Sequence, residues 1–116
     1  MTTADYLIKG ASLPDGKKAD ISISNGVIAS VGSEFKGDAK NVIDARDCVV
    51  LPGLVDLHTH LREPGREDAE TVLSGSRAGV KGGFTAVSAM ANTSPVADTA
   101  GVVEQVYRLG QEAGLL

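Results

Sequence analysis

Both histidines of the chain, His58 and His60, fall in one stretch, VDLHTHLREPGRED, residues 55–68. On a strand, residues i, i+2 and i+4 face one side, so Asp56, His58 and His60 are expected to share a face. Val55, Leu57, Thr59 and Leu61 take the other. Two imidazoles about 6–7 Å apart at their backbones can converge on one ion, because a zinc–nitrogen bond is about 2.0–2.1 Å. Asp56, deeper on the same face, is placed to hold a histidine ring through its second N–H. Zinc takes three or four protein ligands. The chain has no third histidine, and its one cysteine, Cys48, lies on the preceding run. Further ligands must come from carboxylates or from chain outside this sequence. A histidine pair on a strand also occurs without metal. Position at a strand end, before a polar loop, favours the metal.

Arg62 continues the histidine parity. It reads either as a surface residue or as a planar, permanently charged fork for a substrate carboxylate. Asn92, in ANTSP, reads either as a turn residue or as an amide able to donate and accept beside Arg62. No glycine-rich dinucleotide fingerprint follows the first α/β strand, and no Gly-x-Ser-x-Gly elbow is present.

The elements that must position these groups change character near residue 52. Before it, Ala19, Ile21 and Ile23 alternate with Asp20, Ser22 and Ser24, and Asn25-Gly26 signals a hairpin. Asp15-Gly16 marks a second turn, and residues 42–51 supply further strand. Residues 1–52 are thus expected to form a small antiparallel sheet. After Pro52-Gly53 come a strand over 54–60, a helix with Ala69, Val72, Leu73, Ser76 and Val80 on one face, and a stop at Gly82-Gly83. Phe84 to Met90 reads as the next strand. Asp98 is placed to cap a second helix ending at Gly114, and Leu115-Leu116 reads as the opening of another strand. Strand starts near 54, 84 and 115 are 30 and 31 residues apart, the period of a parallel α/β array. A closed (β/α)8 barrel takes roughly 250 residues. The expectation is therefore the N-terminal piece of a longer protein, with a small open α/β domain as the alternative.

Composition narrows the partners. The 116 residues carry a net charge of −4 without a Lys/Arg cluster, which argues against nucleic acid and anionic membranes. No apolar run approaches the ~20 residues of a membrane span. MTTADYLIKG lacks the basic flank and apolar core of a signal peptide. A single thiol makes no internal disulfide; Cys48, in an apolar run, is expected buried, and the protein cytoplasmic.

PGLVDLHTHLREPG followed by GGFTAVSAMANTSP resembles the start of the amidohydrolase superfamily and, within it, the dihydroorotases. The resemblance covers essentially the whole chain. Asp-x-His-x-His marks the superfamily; His-x-His-x-Arg before Pro-Gly, with Asn-Thr-x-Pro after the second strand, is narrower. It implies an α/β fold in which residues 1–52 contribute to a small β-sandwich and residues 53–116 form the first two units of a truncated (β/α)8, TIM-type barrel. It implies a zinc enzyme, with one or two ions, that interconverts dihydroorotate and N-carbamoyl-L-aspartate in pyrimidine synthesis. His58 and His60 match metal ligands, and Arg62 and Asn92 match residues that bind the substrate carboxylate. The remaining ligands and the proton-shuttling aspartate would lie beyond Leu116, so no catalytic residue is expected within the chain and the chain alone is expected to be inactive. Ala91 stands where the family often has proline. The full-length protein is expected to form a homo-oligomer or to associate with pyrimidine-pathway partners. Rival readings are another cyclic amidohydrolase (allantoinase, dihydropyrimidinase or hydantoinase), for which a fixed Arg62 has no use, and a non-catalytic dihydroorotase-like subunit.

Overall fold

The computed structural model describes residues 3–116; the first two residues of the expected N-terminal sheet and of the leader reading lie outside them. The chain divides into two compact units, Met1–Pro52 and Gly53–Leu116, each considered by itself.

The first unit is a four-stranded sheet of β1 (Ala4–Ser12), β2 (Lys18–Ser24), β3 (Val27–Gly32) and β4 (Ala39–Asp44), in the order β3-β2-β1-β4. Asn25 and Gly26 turn β2 into β3 with φ of 53° and 76°, the left-handed pair that a tight hairpin requires. Asp5 ties three segments: its carboxylate accepts the Asn25 backbone N–H at 2.8 Å and a bond from Lys40 Nζ at 2.7 Å. The sheet is mixed rather than antiparallel, because β4 runs parallel to β1. The 26 residues from Lys18 to Ile43 include the β2–β3 hairpin, and the return after it brings the chain back beside β1 in the same direction.

Strand β2 is central, and Ala19, Asp20, Ile21 and Ser22 are all buried. Strict alternation fails there because the second face is also covered. The Asp20 carboxylate accepts the Gly10 N–H at 2.8 Å and the Phe35 N–H at 3.0 Å, so a buried charge is met by oriented backbone donors. Residues 45–51 form no strand after β4; they run beside β1, where the Ala45 N–H donates to Lys9 O and the Val50 N–H to Ser12 O, both at 2.9 Å, with an isolated bridge between Ser12 and Val49. Cys48 is consequently exposed, correcting the expectation that its apolar neighbours bury it.

The second unit holds β5 (Leu54–Thr59), α1 (Val72–Lys81), β6 (Phe84–Ala89) and α2 (Ala100–Ala113), with β5 and β6 paired in parallel. A parallel pair needs a long crossover, and α1 supplies it. The helix starts at Val72 rather than Ala69 because Thr71 caps it. Thr71 Oγ1 accepts the Ser74 N–H, and Ser74 Oγ accepts the Thr71 N–H. Thr99, not Asp98, precedes α2, and Gly114 ends it in the left-handed conformation at φ 61°. Leu115 and Leu116 form no strand. Leu61 and Val72 are buried, as is Ser76 on the inner face of α1. No helix among the described residues is long and apolar enough to cross a membrane.

Candidate metal and substrate site

The site lies where β5 and β6 end. Their ladder pairs Val55 with Ala86, Asp56 with Val87 and Thr59 with Ala89. Between the last two pairs, β5 advances three residues while β6 advances two. That extra residue is a bulge, and a bulge exchanges the sides to which all later side chains point. Asp56, Thr59 and Leu61 accordingly line one cleft with Gly75, Ala78 and Gly79 of α1. His58 and His60 take the opposite, open side, where Val55 and Leu57 are 57% and 75% exposed.

Asp56 therefore does not share the histidines' face, contrary to the parity argument. Its Oδ1 accepts the His58 backbone N–H at 2.9 Å instead of a ring N–H. The carboxylate satisfies a donor beside the displaced ladder and holds the backbone that aims His58.

The two imidazoles converge. His58 Nε2 lies 3.2 Å from His60 Nε2, with ring centroids 5.1 Å apart and planes tilted by 58°. In a tetrahedron with bonds of about 2.0–2.1 Å, neighbouring ligand nitrogens are about 3.3–3.4 Å apart. The pair thus has the separation of two corners of a zinc site. Among the described residues no third or fourth His, Cys, Asp or Glu joins them. The donor set fits part of a zinc site and leaves the rest to other groups.

Asn92 reaches the pair from the loop after β6. Its Oδ1 accepts from His60 Nδ1 at 2.8 Å. The level is set by strand pairing: the Met90 N–H donates to Thr59 O at 2.9 Å, one residue before His60 and two before Asn92. Ala91 O accepts the Ala97 N–H at 3.0 Å and closes the loop, so the backbone there is held without a proline. The sequence placed Asn92 beside Arg62; the structure brings it onto His60.

Arg62 is exposed and makes no ion pair among the described residues. Its φ is 62°, a conformation uncommon for a residue with a side chain. The Arg66 N–H donates to Arg62 O at 2.9 Å and closes the turn. Three neighbours build this corner, of which the sequence reading used Pro64-Gly65 only as a turn and a motif. Glu63 Oε2 accepts the Val72 N–H at 2.7 Å, fastening the loop to the positive end of α1. Pro64 O accepts the Ser94 N–H at 2.9 Å, joining the two loops. Gly65, at φ 104°, is the close approach: a Cβ there would overlap Ser94 O. The Gly65 N–H donates to the Glu67 carboxylate and holds it below the usual carboxylate range. Pro64-Gly65 was the only sequence signal for any of this.

The geometry can be set beside known proteins. The family model for dihydro-orotase-like proteins matches residues 47–113. The chain is 60% identical over 108 residues to a dihydroorotase of Streptomyces coelicolor, covering 93% of this chain and 25% of that protein. It is 56% identical over 114 residues to a dihydroorotase of Leifsonia xyli subsp. xyli, covering 98% and 26%. Among solved structures it is similar to the L-hydantoinase (dihydropyrimidinase) from Arthrobacter aurescens, with a TM-score of 0.83 at 25% identity, covering 93% of this chain and 25% of that one. The chain spans about a quarter of the length of these relatives. The matched segment contains the bulged β5, the converging histidines, Arg62 and Asn92, and the chain belongs to the dihydro-orotase-like family.

Proposed function

We propose that this chain is the N-terminal part of a dihydroorotase, which hydrolyses the cyclic amide of dihydroorotate to N-carbamoyl-L-aspartate, reversibly, in pyrimidine synthesis. The observation that carries the reading is the approach of His58 Nε2 and His60 Nε2 to 3.2 Å at the end of β5. The names of relatives with 60% and 56% identity support it.

In this reading His58 and His60 hold a zinc site of one or two ions with ligands from chain outside this sequence. Such an ion would supply Lewis-acid polarisation of the amide carbonyl and a more acidic water. The water oxygen bonds to the ring carbonyl carbon, the ring C–N bond breaks, and the nitrogen takes a proton. The proton carrier, an aspartate, also belongs to chain outside this sequence. Arg62 and the Nδ2 end of Asn92 grip the substrate carboxylate and orient the ring. Arg62 suits that task because its charge is permanent and its fork matches a carboxylate.

Residues 53–116 are the first two units of a (β/α)8 barrel and residues 1–52 are part of a β-sandwich. The full-length protein acts on small molecules in the cytoplasm, as a homo-oligomer or with pathway partners.

A second reading, a cyclic amidohydrolase for rings without a carboxylate, is favoured by the likeness to the Arthrobacter hydantoinase. Steady-state assays of the full-length protein separate them. Dihydroorotate is expected to be the preferred ring over hydantoin and dihydrouracil, and Arg62→Met to raise its KM. Equal turnover of the uncharged rings would defeat the first reading.

A further inference from the structure

We infer that Asn92 is a positioning residue for His60: its Oδ1 holds the imidazole as the Nδ1–H tautomer and leaves Nε2 bare for ligation. The inference rests on the metal reading of His58 and His60 for its purpose, though its geometry stands without it.

An amide oxygen only accepts hydrogen bonds, so the 2.8 Å contact requires the hydrogen on His60 Nδ1. A neutral imidazole carries one such hydrogen, so Nε2 keeps its lone pair. That lone pair faces the point where His58 Nε2 also converges, 3.2 Å away. The reversed amide would put a donor against Nδ1 and force the hydrogen onto Nε2, where it would block ligation. One hydrogen bond thus selects the ligating nitrogen, as outer partners of metal-bound histidines do elsewhere.

The contact is built into the fold. The Met90–Thr59 and Ala97–Ala91 backbone bonds fix both ends of the approach. With Oδ1 committed to His60, the amide turns its Nδ2 donors outward, and Nδ2 makes no hydrogen bond among the described residues. That is the correct end to offer an anion. Asn92 therefore couples the choice of ligating nitrogen to the choice of which amide end meets substrate.

Two variants of the full-length protein divide the roles. Asn92→Asp keeps an acceptor for His60 and loses the Nδ2 donors; Asn92→Leu has a similar shape and loses both. Long-range 1H–15N NMR of 15N-histidine-labelled, metal-free protein reads the tautomer directly. Zinc affinity is read by chelator competition. Wild type and Asn92→Asp are expected to show His60 protonated at Nδ1. Asn92→Leu is expected to mix tautomers and to bind zinc about 10–100-fold more weakly. The dihydroorotate KM should rise in both. Asn92→Leu with wild-type tautomer and zinc affinity overturns the inference, as does loss of the wild-type signature in Asn92→Asp. If Asn92→Leu aggregates, Asn92→Ala gives the same reading. A wild type that ignores dihydroorotate but shows the expected tautomers defeats the proposed substrate and leaves the positioning role standing.

Discussion

Asp56 Oδ1 accepts the backbone N–H of His58 at 2.9 Å, across the bulge of β5. The carboxylate and the imidazole belong to neighbouring positions in the motif, yet they point to opposite sides of the strand. Asp56 acts on the ring only through the backbone that carries it.

That relationship predicts an asymmetric response at position 56. Asn retains an acceptor oxygen and Ala does not. Asp56→Ala should cost about 0.5–1.5 kcal/mol of stability and weaken zinc binding, whereas Asp56→Asn should stay nearer wild type. Urea unfolding and chelator competition on the full-length protein check both. Equal effects of Asn and Ala would show that the hydrogen bond is not what holds the bulge.

Arg62 holds a positive φ of 62°, which favours glycine. Arg62→Gly and Arg62→Ala both remove the guanidinium, but only Ala keeps the steric conflict of a Cβ. Arg62→Gly should therefore be more stable than Arg62→Ala by about 1 kcal/mol. Both should raise the dihydroorotate KM alike. Thermal unfolding of the pair isolates the backbone contribution, and an Ala variant as stable as the Gly variant would mean the turn relaxes.

Gly65 faces two demands, a φ of 104° and the Ser94 carbonyl, which any added Cβ would overlap. Gly65→Ala is expected to destabilise by more than about 1 kcal/mol. The disturbance should spread to the other loop through the Pro64–Ser94 bond. Hydrogen exchange should quicken at the Ser94 amide as well as at residues 62–66. Faster exchange confined to the first loop would separate the two loops.

The open side of β5 presents Val55 and Leu57 at 57% and 75% exposure. A paired strand with bare apolar side chains and a free edge is a template for association. The isolated 116-residue chain is expected to self-associate, and Leu57→Lys to reduce that association. Sedimentation velocity at several concentrations reads both, and a monomeric wild-type chain would refute the expectation.

Much of the local structure was legible because it depends on near neighbours. Asn25-Gly26 takes the left-handed pair that few other dipeptides tolerate, and Gly114 ends α2 for the same steric reason. The starts of β5 and β6 at Leu54 and Phe84 follow the breaks at Pro52-Gly53 and Gly82-Gly83. The proximity of His58, His60 and Arg62 is covalent. What their neighbourhood became was decided in three dimensions. β4 joins β1 in parallel, a pairing between distant segments that no local pattern encodes. The bulge arises from the mismatch between β5 and β6, and it turned Asp56 from the histidines' face toward α1. Asn92 lies 32 residues from His60 along the chain and 2.8 Å from its Nδ1 in space. Sequence alone determined which chemical groups are present and the conformations their immediate neighbours permit. Only the tertiary structure decided which groups meet, because register and loop docking depend on free energies shared between segments far apart in the chain.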